Sequence, residues 1–246
     1  MGMIDWKRCP MSAREARAVA MPEAWRDVLR AEVPVYRHLG PEARARFEDR
    51  LRDFVLTKTF SADAGILVDE RLRLLIGAGA ALLSMNISGE TFARLRYVHV
   101  YEGTIRDGRH GILGTASGAD KVAISHQALC HAFQVPDDGH HVTLHELTHV
   151  LDAQWSGFDG VPRLPPGSTS TQRWKEVLER ELARLREALA NGASPGLPAY
   201  AATDTTELFA VATESFFERP VALRDAHPDL YALLVEYYLQ DPARAA

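Results

Sequence analysis

The chain has 246 residues, 46% hydrophobic and 25% charged, with a formal net charge of -5. That length and apolar content suffice to bury a sizeable core, as one large domain or two small ones. The negative balance gives no electrostatic ground for direct nucleic-acid binding, which shows as a basic patch or stripe.

Residues 1–21 carry Asp5, Lys7, Arg8, Arg14, Glu15 and Arg17 without an apolar stretch between them, which is not the make-up of a secretory signal. They read as a loosely ordered arm. Cys9 and Cys130 stand far apart in neither a paired nor a zinc-knuckle spacing, so they are expected to be reduced thiols of a cytoplasmic protein. From residue 22 to 246 no interdomain linker is visible, and one domain is expected.

Helical spacing begins at residues 22–30 and returns at 41–54, where Pro41 suits a first turn and Phe47, Leu51, Phe54 and Val55 recur at three- and four-residue steps. Arg37, Arg44, Arg46 and Arg50 read as a solvated face of this part. Residues 58–68 form a short extended connection with a turn at 63–65. Asp69 then caps a helix running to Ile87, whose apolar run is too short for a bilayer and is interrupted by Gly77 and Gly79.

The period changes at 96–101, where β-branched and aromatic residues alternate and predict a strand; 121–125 predicts another. A glycine-rich stretch, 108–118, lies between them. Strands preceding long helices indicate an α+β arrangement, mostly helical with a small sheet. Asp137, Asp138 and Gly139 supply a turn before a helix over 140–155. After a Gly/Pro-rich loop at 157–167, a charged amphipathic helix spans 174–189. Asp204 caps another ending before Pro220, and a last helix covers 228–240.

The helix over 140–155 contains His145-Glu146-Leu147-Thr148-His149. Residues four apart sit one turn above each other, so both imidazoles project from one face and can grip one metal ion. Glu146 lies close enough to reach a water at that ion, which is the zinc-peptidase reading of H-E-x-x-H. Hydrolytic zinc takes three protein ligands and keeps a position open, so one ligand must come from elsewhere. Asp152 is too short and one turn too far along, and is expected to orient a histidine from behind. Glu207 and Glu214, seven apart on one helical face, are both candidates. Glu207 also matches the reciprocal partner of an Asp204 capping box, and spacing does not choose between them. His140 and His141 read as surface or cap residues.

These residues resemble the Mlc titration factor A family, glucose-regulated zinc metallopeptidases related to the catalytic domain of anthrax lethal factor. The resemblance rests on 145–152, on Phe158-Asp159-Gly160-Val161-Pro162, on 207–217 and on Tyr237-Tyr238-Leu239-Gln240-Asp241-Pro242, with looser likeness at 74–80 and 122–125. It implies a mostly helical zincin-like domain over 22–246 and one Zn2+ per chain on His145, His149 and Glu207. It further implies Glu146 as general base, Tyr200 as a catalytic tyrosine, and an aminopeptidase-like activity on a peptide or protein substrate. Family members can bind the repressor Mlc, so the resemblance also implies a transcriptional repressor as an alternative partner. Leu147, Thr148 and the His140-His141 pair depart from the family's usual residues, which points to a different groove wall. Residues 1–21 have no counterpart in it.

Overall fold

Why the chain places its chemistry between two buried helices follows from how the apolar stretches pack. The computed structural model describes residues 4, 6–89, 91–103, 120–154 and 157–245. The stretch 108–118 and Trp155, the expected end of the motif helix, lie outside the described residues.

In chain order the elements are α1 (Ala13–Ala18), α2 (Glu23–Glu32), α3 (Pro34–His38), α4 (Pro41–Thr57), β1 (Thr59–Ala62), α5 (Glu70–Ser84), β2 (Tyr97–Tyr101), β3 (Lys121–Ser125), α6 (His126–Gln134), α7 (Val142–Ala153), α8 (Thr171–Ala190), α9 (Thr205–Glu218), α10 (Pro220–Ala226), α11 (Pro228–Tyr238) and α12 (Pro242–Ala245). The mostly helical α+β expectation holds. Its small sheet is parallel throughout, ordered β1-β2-β3, with Phe60 beside Val98 and Val98 beside Val122. Parallel neighbours need a crossover, and α5 supplies the one between β1 and β2.

Part of the segment expected to form a loose arm carries regular structure. Ser12 caps α1 in a reciprocal box with Glu15, and Ala16 is fully buried. Trp6 stacks on Trp25 at 6.0 Å, and the Met11 amide donates to the Leu56 carbonyl at 2.8 Å. The sequence hides this because a six-residue helix shows too little periodicity to be read. Two of the arginines expected on a solvated face also act as staples, Arg46 from an exposed position and Arg50 from a half-buried one. Arg46 donates to Asn86, and Arg50 donates to the carbonyls of Ile87 and Gly89 beyond the end of α5.

Asp69 caps α5 as its sequence indicates, its carboxylate accepting from the Leu72 amide at 2.7 Å. The glycines inside α5 have a packing role. A Cβ at Gly79 would stand 2.5 Å from Thr143 Cγ2 of α7, so only glycine lets the two helices approach this closely. One continuous apolar cluster runs from Trp25 and Phe47 through Leu75 and Leu144 to Phe209, Phe216 and Tyr238. α7 lies inside it with α5, β3 and α9 around it. No helix among the described residues is long and apolar enough to cross a membrane.

Candidate metal centre

α7 is buried all round, not along a single stripe. Its polar line is enclosed too: His145 is 8% exposed, Glu146 5%, His149 3% and Asp152 0%. Thr148 follows the same pattern, returning its hydroxyl to the Leu144 carbonyl at 2.7 Å. Buried polar side chains of this kind need partners, and most of them come from α9.

Asp204 caps α9 by accepting from the Glu207 amide at 2.9 Å. The reciprocal arm of a capping box is not made. The Glu207 carboxylate turns to the histidines instead: Oε2 stands 3.3 Å from His145 Nε2 and 3.5 Å from His149 Nε2. Those two nitrogens are 3.1 Å apart. Glu207 thus occupies the first turn of α9, where the helix dipole favours a negative group.

Glu214, two turns further along α9, does not join this triangle. Its Oε1 accepts from His145 Nδ1 at 2.7 Å and its Oε2 accepts from the His141 amide at 2.6 Å. One turn on again, Glu218 Oε2 accepts from the Asp137 amide at 2.7 Å. Partners on α9 therefore rise in number as those on the α7 side fall, so the two helices run antiparallel.

Asp152 departs from the expectation that it orients a histidine. Its Oδ2 accepts from the Gly160 amide at 2.9 Å and pins the loop that follows α7. His141 takes the cap position read for it, at the N-cap of α7, but is buried at 7% exposed, edge-on to Phe133, and burial pulls its imidazole down to about 4. Tyr200 lies on a 3-10 turn, Ala199–Ala202, with its ring centroid 6.2 Å from that of His145. Arg186 of α8 holds the turn by donating to the carbonyls of Ala202 and Thr203.

Two neighbours carried no signal in the sequence beyond their place in an element. Tyr101 ends β2; burial pushes its phenol up and the charge of Glu146 adds to the rise. Glu218 ends α9, where burial and the carboxylates of Asp137, Asp138 and Glu214 push it up to about 7 against the Asp137 amide bond.

The donor set suits a divalent cation. Four donors about 2.0–2.1 Å from a tetrahedral zinc lie about 3.3 Å from one another, and the His145-His149-Glu207 triangle has edges of 3.1, 3.3 and 3.5 Å. His145, His149 and Glu207 are the group among the described residues whose ligand atoms converge in this way. The electrostatics point the same way. Burial pushes the Glu207 carboxyl up, and the close imidazoles of His145 and His149 more than offset it, holding it at about 2. Burial pushes Glu146 up, and its Oε2 has no hydrogen-bond partner among the described residues. With Glu146, Glu207 and Glu214 all buried around two imidazoles, a bound cation would balance the carboxylate charge that neutral, metal-ligating imidazoles leave uncompensated.

Comparison with known proteins finds relatives that cover nearly all of this chain. An uncharacterized protein of Synechocystis sp. is 27% identical over 97% of this chain and 90% of its own length. Mlc titration factor A of Yersinia enterocolitica is 22% identical over 98% of this chain and 92% of its own. Mlc titration factor A of Pectobacterium atrosepticum is 35% identical, over 42% of this chain and 40% of its own. Residues 5–239 match the glucose-regulated metallo-peptidase M90 family, and the chain belongs to that family.

Proposed function

We propose that the chain is a zinc-dependent peptidase, aminopeptidase-like in its choice of substrate, with His145, His149 and Glu207 as metal ligands. The observation that carries this reading is the triangle of donor atoms 3.1 to 3.5 Å apart, with the Glu146 carboxylate buried beside it. Zinc bound there supplies a Lewis acid that polarises a peptide carbonyl and acidifies water toward neutrality.

The protein's own residues do the rest. Glu146, with one oxygen free of hydrogen bonds and its carboxyl pushed up by burial, accepts the proton of the attacking water and passes it to the leaving amine. Tyr200, at the exposed edge of the site, donates a hydrogen bond to the oxygen on which charge builds. β3 lies at one edge of the sheet against α7, where its outer backbone can pair with an extended peptide.

A metal-dependent cleavage screen on a peptide library with free and blocked N-termini tests the reading. Cleavage restricted to free N-termini and abolished by chelation is expected; cleavage of blocked peptides at equal rate removes the aminopeptidase assignment. The name Mlc titration factor A, borne by several relatives, supports a second reading, in which the chain binds an Mlc-type transcriptional repressor. Tight repressor binding unchanged in Glu146→Gln, with no turnover across the library, would favour that second reading.

A further inference from the structure

α7 carries the two histidines but lacks what normally steadies the start of a helix. It has no acidic residue in its first turn, and its N-cap His141 makes no side-chain capping bond. The turn before it is also awkward, with Asp137 at φ 64 and Gly139 at φ 87. The missing negative group arrives from α9.

Glu214 is 6% exposed and uses both oxygens on this one region, accepting from His145 Nδ1 at 2.7 Å and from the His141 amide at 2.6 Å. A carboxylate only accepts, so Nδ1 of His145 carries the hydrogen and Nε2 is the nitrogen left to ligate a metal beside His149 and Glu207. Of the two carboxylates that could orient a histidine from behind, Asp152 directs Oδ2 to Gly160 instead. We infer that Glu214 is the positioning residue of the metal centre, fixing the tautomer and aim of His145 while docking the first turn of α7. This rests on the metal-site reading above and adds a role to a residue outside the ligand triangle.

A change at Glu214 therefore moves metal affinity as well as stability. In Glu214→Gln one atom can still accept, but the amide nitrogen opposes either the His145 or the His141 donor. Zinc affinity of the full chain, measured by competition with a chelator, is expected to fall about 10–100-fold. The cobalt-substituted protein is expected to show a shifted visible absorption spectrum. Asp152→Asn serves as the control: its amide oxygen can still accept from Gly160 and it holds no histidine, so zinc affinity is expected to change far less than in Glu214→Gln.

Equal zinc affinity in wild type and Glu214→Gln would overturn the inference and leave the ligand triangle standing. Wild-type protein that takes up no zinc would overturn both together. If Glu214→Gln does not fold, nitrogen NMR of zinc-loaded wild type decides. A slowly exchanging proton on His145 Nδ1 is expected, and Nδ1 coordinated to the metal would contradict the inference.

Discussion

Gly160 lies so close to Thr205 that a Cβ on the glycine would stand 2.6 Å from the threonine's carbonyl oxygen. Gly160 has φ 79, a conformation that favours glycine, and its amide is held by Asp152 while its carbonyl accepts from Trp174 Nε1 at 2.7 Å. The contact joins the end of α7 to the start of α9, two residues before Glu207. Gly160→Ala is expected to cost about 1–3 kcal/mol in urea unfolding and to weaken zinc binding with it. An unchanged urea midpoint would show that this approach does not constrain the site.

Glu146 is buried, its Oε2 has no hydrogen-bond partner among the described residues, and it is not among the donors of the triangle. Glu146→Gln keeps the shape and removes the base. Turnover is expected to fall at least about 100-fold while zinc content stays at one equivalent. Undiminished turnover would take Glu146 out of the mechanism.

Tyr200 stands beside the site, its ring centroid 6.2 Å from that of His145. Tyr200→Phe removes the hydroxyl and leaves the turn, whose bonds are to backbone carbonyls. A drop of about 100-fold in kcat with KM and zinc content little changed is expected. If KM alone moves, Tyr200 binds substrate and does not stabilise the developing charge.

Glu218 makes stability depend on pH in a defined direction. Its ordinary value of 4.5 is pushed up to about 7 in the folded chain. Between those values the folded state holds a proton that the unfolded state has released, so stability falls as pH rises from about 4.5 to 7 and then levels. Glu218→Gln keeps an acceptor for the Asp137 amide and does not titrate. The variant is expected to match wild type near pH 4.5 and to exceed it above pH 7 by on the order of 2 kcal/mol. Equal stability at pH 8 would contradict this.

Much of the site is legible in the sequence because it is local. His145, Glu146 and His149 share one helix, and their spacing alone gives their common face. Glu207 and Glu214 illustrate the limit: both lie on one face of α9, and only the antiparallel docking of α9 on α7 assigns one to the histidine nitrogens and the other to the far side of His145. The role of Asp152 is not legible for the same reason, because its partner Gly160 lies in a loop whose path no periodicity encodes. In the fold, the long helices and both β2 and β3 show in the pattern and β1 falls within the extended connection at 58–68, whereas the short helices α1, α3, α6 and α10 do not show. A helix of about two and a half turns or less gives too few repeats of its period to be read.

Zinc stoichiometry of purified Glu207→Ala, beside wild type and Glu214→Ala and with folding verified by circular dichroism, tests the ligand triangle most directly. One equivalent in wild type and loss of zinc from Glu207→Ala is the predicted result. A full equivalent retained by folded Glu207→Ala while Glu214→Ala loses it would contradict the account.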